Sequence, residues 1–412
     1  MAGPTHPPEE GRWFLPGVRA IGAASLLSDL GHEVPTALLP SFLQTTLGLG
    51  AARAAAALGV IEGIADGAAG VARFGGGPLA DDPGRRRATA VGGYASTAVF
   101  SSLIGVTTAA WQVGILRSLA WASRGVRGPS RNALLADIAP PHAYGRAYGF
   151  ERAMDNLGAI GGPLLAIGLV ALTSVRTAIV ISIIPGLLAA VAIVIAVRLA
   201  PTLTQRERRP IKIRVRPVLH GRLGRLMFGI TAFELGNVAA TFLILRTTSL
   251  IAPGHAYSRT AILLYAGYNL AATLIAIPAG QLSDRRGSTI VLVIGAGAFT
   301  AAFAGFAFAG ASVPLLAFLF VVAGVGIGVG ETAQSAAVAA FAPVELRGSA
   351  FGLVAAVQAF ANLAASAIAG VLWKAVSPEA AFLYLGAWSA VAAIAFIFVG
   401  VRGRTGKAGT TS

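Results

Sequence analysis

Asp29 and Glu33 lie four residues apart, with His32 beside them, in a stretch otherwise made mostly of small and apolar residues. Glu62 and Asp66 repeat the spacing, and Glu151 and Asp155 repeat it again. Four residues is about one turn of helix, so each pair presents two carboxylates on a common face. Opposite in sign, Arg117, Arg124 and Arg131 recur every seven residues, and Arg127 joins the same stripe. An ionisable side chain inside a membrane costs roughly 2.5–3.5 kcal/mol on insertion scales, so such residues are paired or functional. A carboxylate that moves between an apolar pocket and the neighbourhood of an arginine changes its hold on a proton. That is the chemistry of ion-coupled movement. Asp29 leads as the proton carrier; Glu33, Asp66 and Asp155 are its rivals, with Arg117 and Arg124 as the cations that modulate them. Arg127 and Arg131, nearer the helix end, are expected to snorkel or to bridge to Asp137, with Arg127 also a candidate substrate contact. His32 suits a relay or a substrate contact, and Glu62 a gate or a substrate contact.

A second polar set, poorer in charge, runs through the other half: Glu234, Asn237, Asn269, Glu331, Gln334, Gln358 and Asn362. These are expected to face a cavity and contact substrate, against the alternative that the amides only bond helix to helix. Glu331 ranks first among them, as an acid expected to be unpaired in a span whose glycines alternate at 324, 326, 328 and 330. Those glycines are expected to serve close packing. With five scattered histidines and no cysteine, no metal centre, disulfide or thiol nucleophile is expected.

The elements that must position these residues are membrane helices. The chain of 412 residues is 55% hydrophobic and only 12% charged, with a mean hydropathy of +0.73. A spanning helix needs about 20 mostly apolar residues. Twelve stretches qualify, near 17–43, 54–78, 88–109, 111–138, 146–171, 176–198, 222–250, 259–281, 288–309, 312–341, 347–373 and 379–400. Little chain is left for a soluble catalytic domain, and no serine–histidine or metal-ligand constellation supports an enzyme. The start, residues 1–10, is polar and proline-rich and lacks the form of a cleaved signal peptide. Gly403-Arg-Thr-Gly-Lys-Ala lacks the spacing of a phosphate loop. No cofactor is therefore expected, and uphill transport must draw on an ion gradient.

The net charge of +15 has a topological reading rather than a nucleic-acid one. Arg85, Arg86, Arg87, Arg285, Arg286, Arg402, Arg404 and Lys407 fall on one side of a twelve-span topology, together with the six basic residues at 206–216. The positive-inside rule then puts both termini and the central connector in the cytoplasm. Three lysines against twenty-nine arginines point to a GC-rich bacterial genome, hence a bacterial inner membrane. The expected organisation is a six-helix bundle at 1–199, a linker at 200–221, a second bundle at 222–400 and a tail at 401–412.

The two bundles repeat each other. Gly77-Pro-Leu-Ala-Asp81-Asp-Pro-Gly84 returns as Gly280-Gln-Leu-Ser-Asp284-Arg-Arg-Gly287, an offset of 280 − 77 = 203. The same offset lays Gly145-Arg-Ala-Tyr-Gly149 over Gly348-Ser-Ala-Phe-Gly352, and 234 − 29 = 205 lays Asp29-Leu-Gly-His32 over Glu234-Leu-Gly-Asn237. Under the offset of 203, Arg117, Arg124, Arg127 and Arg131 map onto Phe320, Ile327, Gly330 and Gln334, while Asp66 maps onto Asn269 and Asp155 onto Gln358. Internal duplication in an apolar chain is the mark of a transporter with its site between two halves.

Gly77-x-Leu-Ala-Asp81-x-x-Gly84-Arg85-Arg86 resembles the loop signature between spans 2 and 3 of the major facilitator superfamily, with Gly280 to Gly287 as its second copy. Asp82 departs from the pattern, where the family has arginine; Arg85 and Asp137 are the expected pairing partners. Arg117, twenty residues before Asp137, matches the family's fourth-span motif. Gly158-x-x-x-Gly162-Pro163 partly resembles the fifth-span motif of proton-driven antiporters. The resemblance covers about residues 15–400. It implies a two-bundle helical fold, a monomer in the lipid bilayer and rocker-switch movement, with the motif residues gating. Within it, the chain is most similar to the drug:proton antiporter branch, exporting a small molecule. The alternative is an importer of an organic anion or phosphate-bearing nutrient held by the span-4 arginines.

Overall fold

The computed structural model describes residues 13–200, 215–238, 241–253 and 258–408. The start of the chain, 201–214 of the linker and 409–412 of the tail lie outside the described residues. Every regular element among them is helical. The first half comprises α1 (Pro16–Ser41), α2 (Ala51–Ala80), α3 (Pro83–Leu103), α4 (Ala110–Ile138), α5 (Tyr144–Leu172), α6 (Val175–Ile181) and α7 (Ile183–Leu199). After a short turn of helix, α8 (Val215–Val218), the second half comprises α9 (Gly221–Leu235), α10 (Thr241–Ile251), α11 (Arg259–Arg286), α12 (Ser288–Phe308), α13 (Val313–Phe341), α14 (Arg347–Ala375) and α15 (Pro378–Ala408). With α6–α7 and α9–α10 each forming one interrupted span, twelve spans make two six-helix bundles. The last helix runs on past the boundary expected at 400.

The interruptions have local causes. Pro185 has no N–H to give to the turn before it, and the helix parts at Ser182, where α6 ends and α7 begins. In the second half the seventh span parts after Leu235, at Gly236 to Val238, directly beyond Glu234. Two helix starts take a serine cap: Ser174 accepts from Thr177 N, and Ser258 from Ala261 N.

Among the described residues, eight spans are long and apolar enough to cross a membrane by length and hydropathy alone. Those that fall short are α1, α2 and α4, which carry the in-span charges, and the split α9–α10. The polarity that costs insertion energy is therefore concentrated on the helices that build the site.

The halves meet through α2 against α14 and α5 against α11. Close approach there depends on glycine. A Cβ on Gly77 would sit 3.0 Å from the Gly348 carbonyl oxygen and 3.2 Å from the Cα of Gly352, and Gly280 is pressed as tightly against Gly145. The alternating glycines of α13 do pack, on two sides: Gly324 and Gly328 against α11, Gly326 and Gly330 against Phe299 and Phe233.

Candidate functional site

At the end of the molecule that carries the repeated loops, each motif aspartate reaches across to the opposite half. Asp81 accepts from the backbone N of Ser349 at 2.8 Å and from its hydroxyl. Asp284 accepts from Gly145 N at 2.6 Å, and from Arg146 N at 3.0 Å and Nε at 2.9 Å. The two glycine-flanked repeats are thus the docking points of the two loops, exchanged between halves. Burial raises the Asp81 carboxyl above its usual range, opposed chiefly by the Ser349 bonds. Asp82 is the N-cap of α3, accepting from Gly84 N at 2.9 Å and Arg85 N at 3.0 Å. The apparent departure from the motif is therefore the cap, which frees Asp81 for the crossing. Asp137, one of the expected partners at this loop, is held by Arg86, with Arg347 of the other half 3.8 Å away. Gly287 closes α11 with φ 92°, a conformation that favours glycine.

Deeper in the first half, α1, α2, α4 and α5 bring the sequence-identified charges together. Asp29, 2% exposed, lies 3.3 Å from Arg124. His32 Nδ1 is 2.9 Å from the Ser28 carbonyl and Nε2 is 2.6 Å from Arg124 Nη1. A guanidinium only donates, so toward Arg124 the ring nitrogen Nε2 is the acceptor. Glu33 sits 3.2 Å from the same Nε2. Gly158 and Gly162 of α5, followed by Pro163, allow this stretch of α1 to approach; a Cβ on Gly158 would lie 2.8 Å from that of Asp29.

Arg117, 1% exposed, pairs with Glu62 at 2.9 Å, donates to Thr36 at 3.0 Å and stacks 3.4 Å from the ring centroid of Trp121. Trp121 in turn donates from its indole nitrogen to the exposed Asp66 at 3.1 Å. The bridge expected from Arg127 or Arg131 to Asp137 is not formed. Arg127 is buried, donating to Ser28 at 2.7 Å with its guanidinium 4.0 Å above the Tyr94 ring. Arg131 pairs with Glu151 at 2.7 Å and Asp155 at 3.3 Å, and Ser25 ties into the same knot.

In the second half, Glu234 receives Asn237 at 3.0 Å and Gln334 at 3.2 Å, and Gln358 donates to Gln334 at 2.9 Å. Four of the seven expected polar residues thus form one network. Asn269 does not join it, since its amide donates to Tyr265 O on its own helix at 3.1 Å. Asn362, half-buried one turn beyond Gln358, does not join the network formed by the described residues. Glu331 is not the unpaired acid it was expected to be: Arg152 of α5 lies 3.4 Å from it and also 3.4 Å from Asp155. Arg152 and Trp121 are the residues that sequence reasoning passed over. The signals were present, Arg152 as the neighbour of Glu151 and Trp121 one turn from both Arg117 and Arg124.

A two-bundle helical frame, with ion pairs buried in its spans and loops exchanged between halves, defines a membrane transporter. The profile of the Major Facilitator Superfamily matches residues 21–262 and 226–412, and the chain belongs to that family. It is 28% identical over 396 residues to an uncharacterized MFS-type transporter of Methanocaldococcus jannaschii, covering 95% of this chain and 96% of that one. An uncharacterized protein of Mycobacterium tuberculosis is 33% identical over 156 residues, 38% of this chain and 37% of that one. Among solved structures, the Escherichia coli fucose:proton symporter matches with a TM-score of 0.72 at 15% identity, covering 94% of this chain and 99% of that one. A bacterial homologue of the iron transporter ferroportin, in an outward-facing state, gives the same score and identity over 93% and 99%. At such identities these last two show the fold alone.

Proposed function

We propose that this multi-pass transporter couples export of a small organic compound to proton entry, by rocking its two bundles about a site in the middle of the membrane. The observation that carries the reading is the Asp29–His32–Glu33 group on α1, buried against Arg124: Asp29 and the His32 imidazole share one guanidinium, and Glu33 lies against the same imidazole. A proton entering this group alters the contacts that Asp29 and His32 make to Arg124, and so changes the packing of α1 on α4. Asp66, Asp155, Arg117 and Glu62 extend the charged path; Glu234, Asn237, Glu331, Gln334 and Gln358 supply polar contacts for substrate from the other half. The loop motifs, Gly77 to Arg85 and Gly280 to Gly287, form the gate on the cytoplasmic face, where the positive-inside rule puts both termini. The membrane is the bacterial cytoplasmic one and the transporter acts as a monomer, with the proton gradient in place of any cofactor. A gradient of about 150 mV supplies about 3.5 kcal/mol per proton, enough for a substrate ratio of about a few hundred.

The reading as an importer of an organic anion has less support. Arg117 and Arg131 are already held by Glu62, Glu151 and Asp155, and Arg127 is buried against Ser28 and Tyr94. The test is growth of an efflux-deficient bacterium carrying the wild-type chain or Asp29→Asn, challenged with antibiotics, dyes and organic acids. Resistance that disappears in the variant supports proton-coupled export. New sensitivity to an anionic compound favours import.

A further inference from the structure

Asp29 and Glu234 occupy corresponding places in the two halves, four residues before a half-buried acid in one case and directly before a helix break in the other. Their surroundings differ in one respect. The first half answers its acids with cations, whereas the second has exchanged each of these for something neutral: Arg124 for Ile327, Arg127 for Gly330, Arg131 for Gln334, and His32 for Asn237. The contacts survive the exchange. Arg131 meets Asp155 at 3.3 Å, and Gln334 meets Gln358, the positional counterparts, at 2.9 Å. His32 lies 3.4 Å from Asp29, and Asn237 lies 3.0 Å from Glu234. The acid itself was kept.

Glu234 is 3% exposed. Both of its oxygens are engaged, and only by amide N–H groups. From α13 it faces Gln334 and, one turn away, Glu331, whose own partner is Arg152. From α14 it faces Gln358; α15 presents Ser389 and Leu385 to the adjoining Gly236, and the Glu379 of that helix is held by Arg246 at 2.9 Å. Among the described residues, no cation lies within ion-pair distance of Glu234. A buried carboxylate without a counter-charge is costly, and neutralisation removes the cost. We infer that Glu234 is a second proton-binding carboxyl, so that each bundle carries one exchangeable proton, at Asp29 in the first and at Glu234 in the second. The proton adds to one Glu234 oxygen and leaves by the same atom. Asn237 and Gln358, both half-buried, line the way in. This deepens the proton-coupled reading and rests on it. It also turns a residue first taken as a substrate contact into part of the coupling machinery.

Infrared spectra of the full chain in lipid nanodiscs, stepped from acid to alkaline pH, read protonated carboxyls through their C=O stretch without any substrate. The titrating bands of the wild type are expected to include one from each of these two buried carboxyls. Glu234→Gln should remove one and Asp29→Asn the other. If Glu234→Gln leaves both bands in place, the inference is overturned while proton binding at Asp29 stands. If Asp29→Asn removes neither, the proton-coupled reading loses its carrier while a band lost in Glu234→Gln still supports this site. Should Glu234→Gln fail to fold, Gln334→Leu gives a second readout. Loss of its hydrogen bond shifts the Glu234 band to higher wavenumber, and an unmoved band counts against the site.

Discussion

The first bundle is held together around its polar centre by charge, and the second by aromatic rings. Arg117 in the first pairs with Glu62 and stacks on Trp121, whereas its positional counterpart Phe320 packs edge-on to Phe306 at 5.4 Å. Phe233, Phe299 and Phe303 continue that ring packing through α9 and α12. The same backbone frame therefore tolerates either an ion-pair network or an apolar core at one site. What differs is the use. Ion pairs in low dielectric respond strongly to a single proton, whereas stacked rings do not. A duplicated frame can thus set ion pairs at a position in one half and packed rings at the matching position in the other, while each half keeps a buried acid, Asp29 in the first and Glu234 in the second.

The comparison can be broken most forcefully at the Arg131 knot. Arg131→Gln copies the second half's residue into the first and leaves Glu151 and Asp155 without their cation. Breaking a buried pair on one side costs about 3–5 kcal/mol, so a large fall in thermal stability is expected. Arg131→Gln combined with Asp155→Gln recreates the amide pair seen between Gln334 and Gln358. The double variant still leaves Glu151 without its cation, so it should regain only part of the lost stability, and not proton-driven transport. Differential scanning calorimetry on the purified chain, beside transport in vesicles, separates the two. Recovery of both would mean that the charge at this site serves structure alone.

A smaller effect is expected at the gate, where the halves are most alike. Asp81 and Asp284 each bridge to the other half, with two bonds from Ser349 in one case and three from Gly145 and Arg146 in the other. Each hydrogen bond to a charged group contributes about 1.5–3 kcal/mol. Water replaces much of this when the end opens, leaving a net loss of about one such bond, so Asp81→Ala and Asp284→Ala should each shift the balance towards opening at the loop end by about tenfold to a hundredfold, near 1.4 kcal/mol per factor of ten. The chain has no cysteine, so single cysteines introduced at this end report its opening by labelling rate. The sharper expectation concerns symmetry: the two variants should open the same end, because both bridges lie there. If one opened the opposite end instead, the exchanged-loop geometry would be wrong.

Much of this was legible in the chain. Twelve spans, two halves and the paired loop motifs follow from hydropathy and an offset of 203, and the charged residues of α1, α2, α4 and α5 do converge. Partners were less legible than positions. Spacing puts Arg127 and Arg131 on a stripe, but the choice between Asp137 and Glu151 depends on how α4 is rotated against α5, which no local pattern encodes. Glu331 looked unpaired because its partner, Arg152, sits 179 residues earlier on the other bundle. Asp82 looked like a loss from the loop motif. Read as an N-cap, with Pro83 and Gly84 behind it, it follows ordinary helix-start chemistry.

The smallest expected effect tests whether the quiet half is quiet throughout. Asn269 stands where the first half has Asp66, but the two side chains differ in what they bind. Asp66 reaches across to Trp121 of α4, whereas Asn269 spends its amide donor on Tyr265 O, one turn back on its own helix. A bond that stays within one helix carries no information between helices. Asn269→Ala should then change stability by no more than about 0.5 kcal/mol, the range of a substitution away from packing and networks. Transport should be unaltered by comparison with Asp66→Ala, which strips the only bond the structure shows to the Trp121 indole nitrogen. Equal losses in the two variants would mean that Asn269 gives up its bond to Tyr265 O during the cycle and touches substrate, joining the polar residues of the second half proposed to do so.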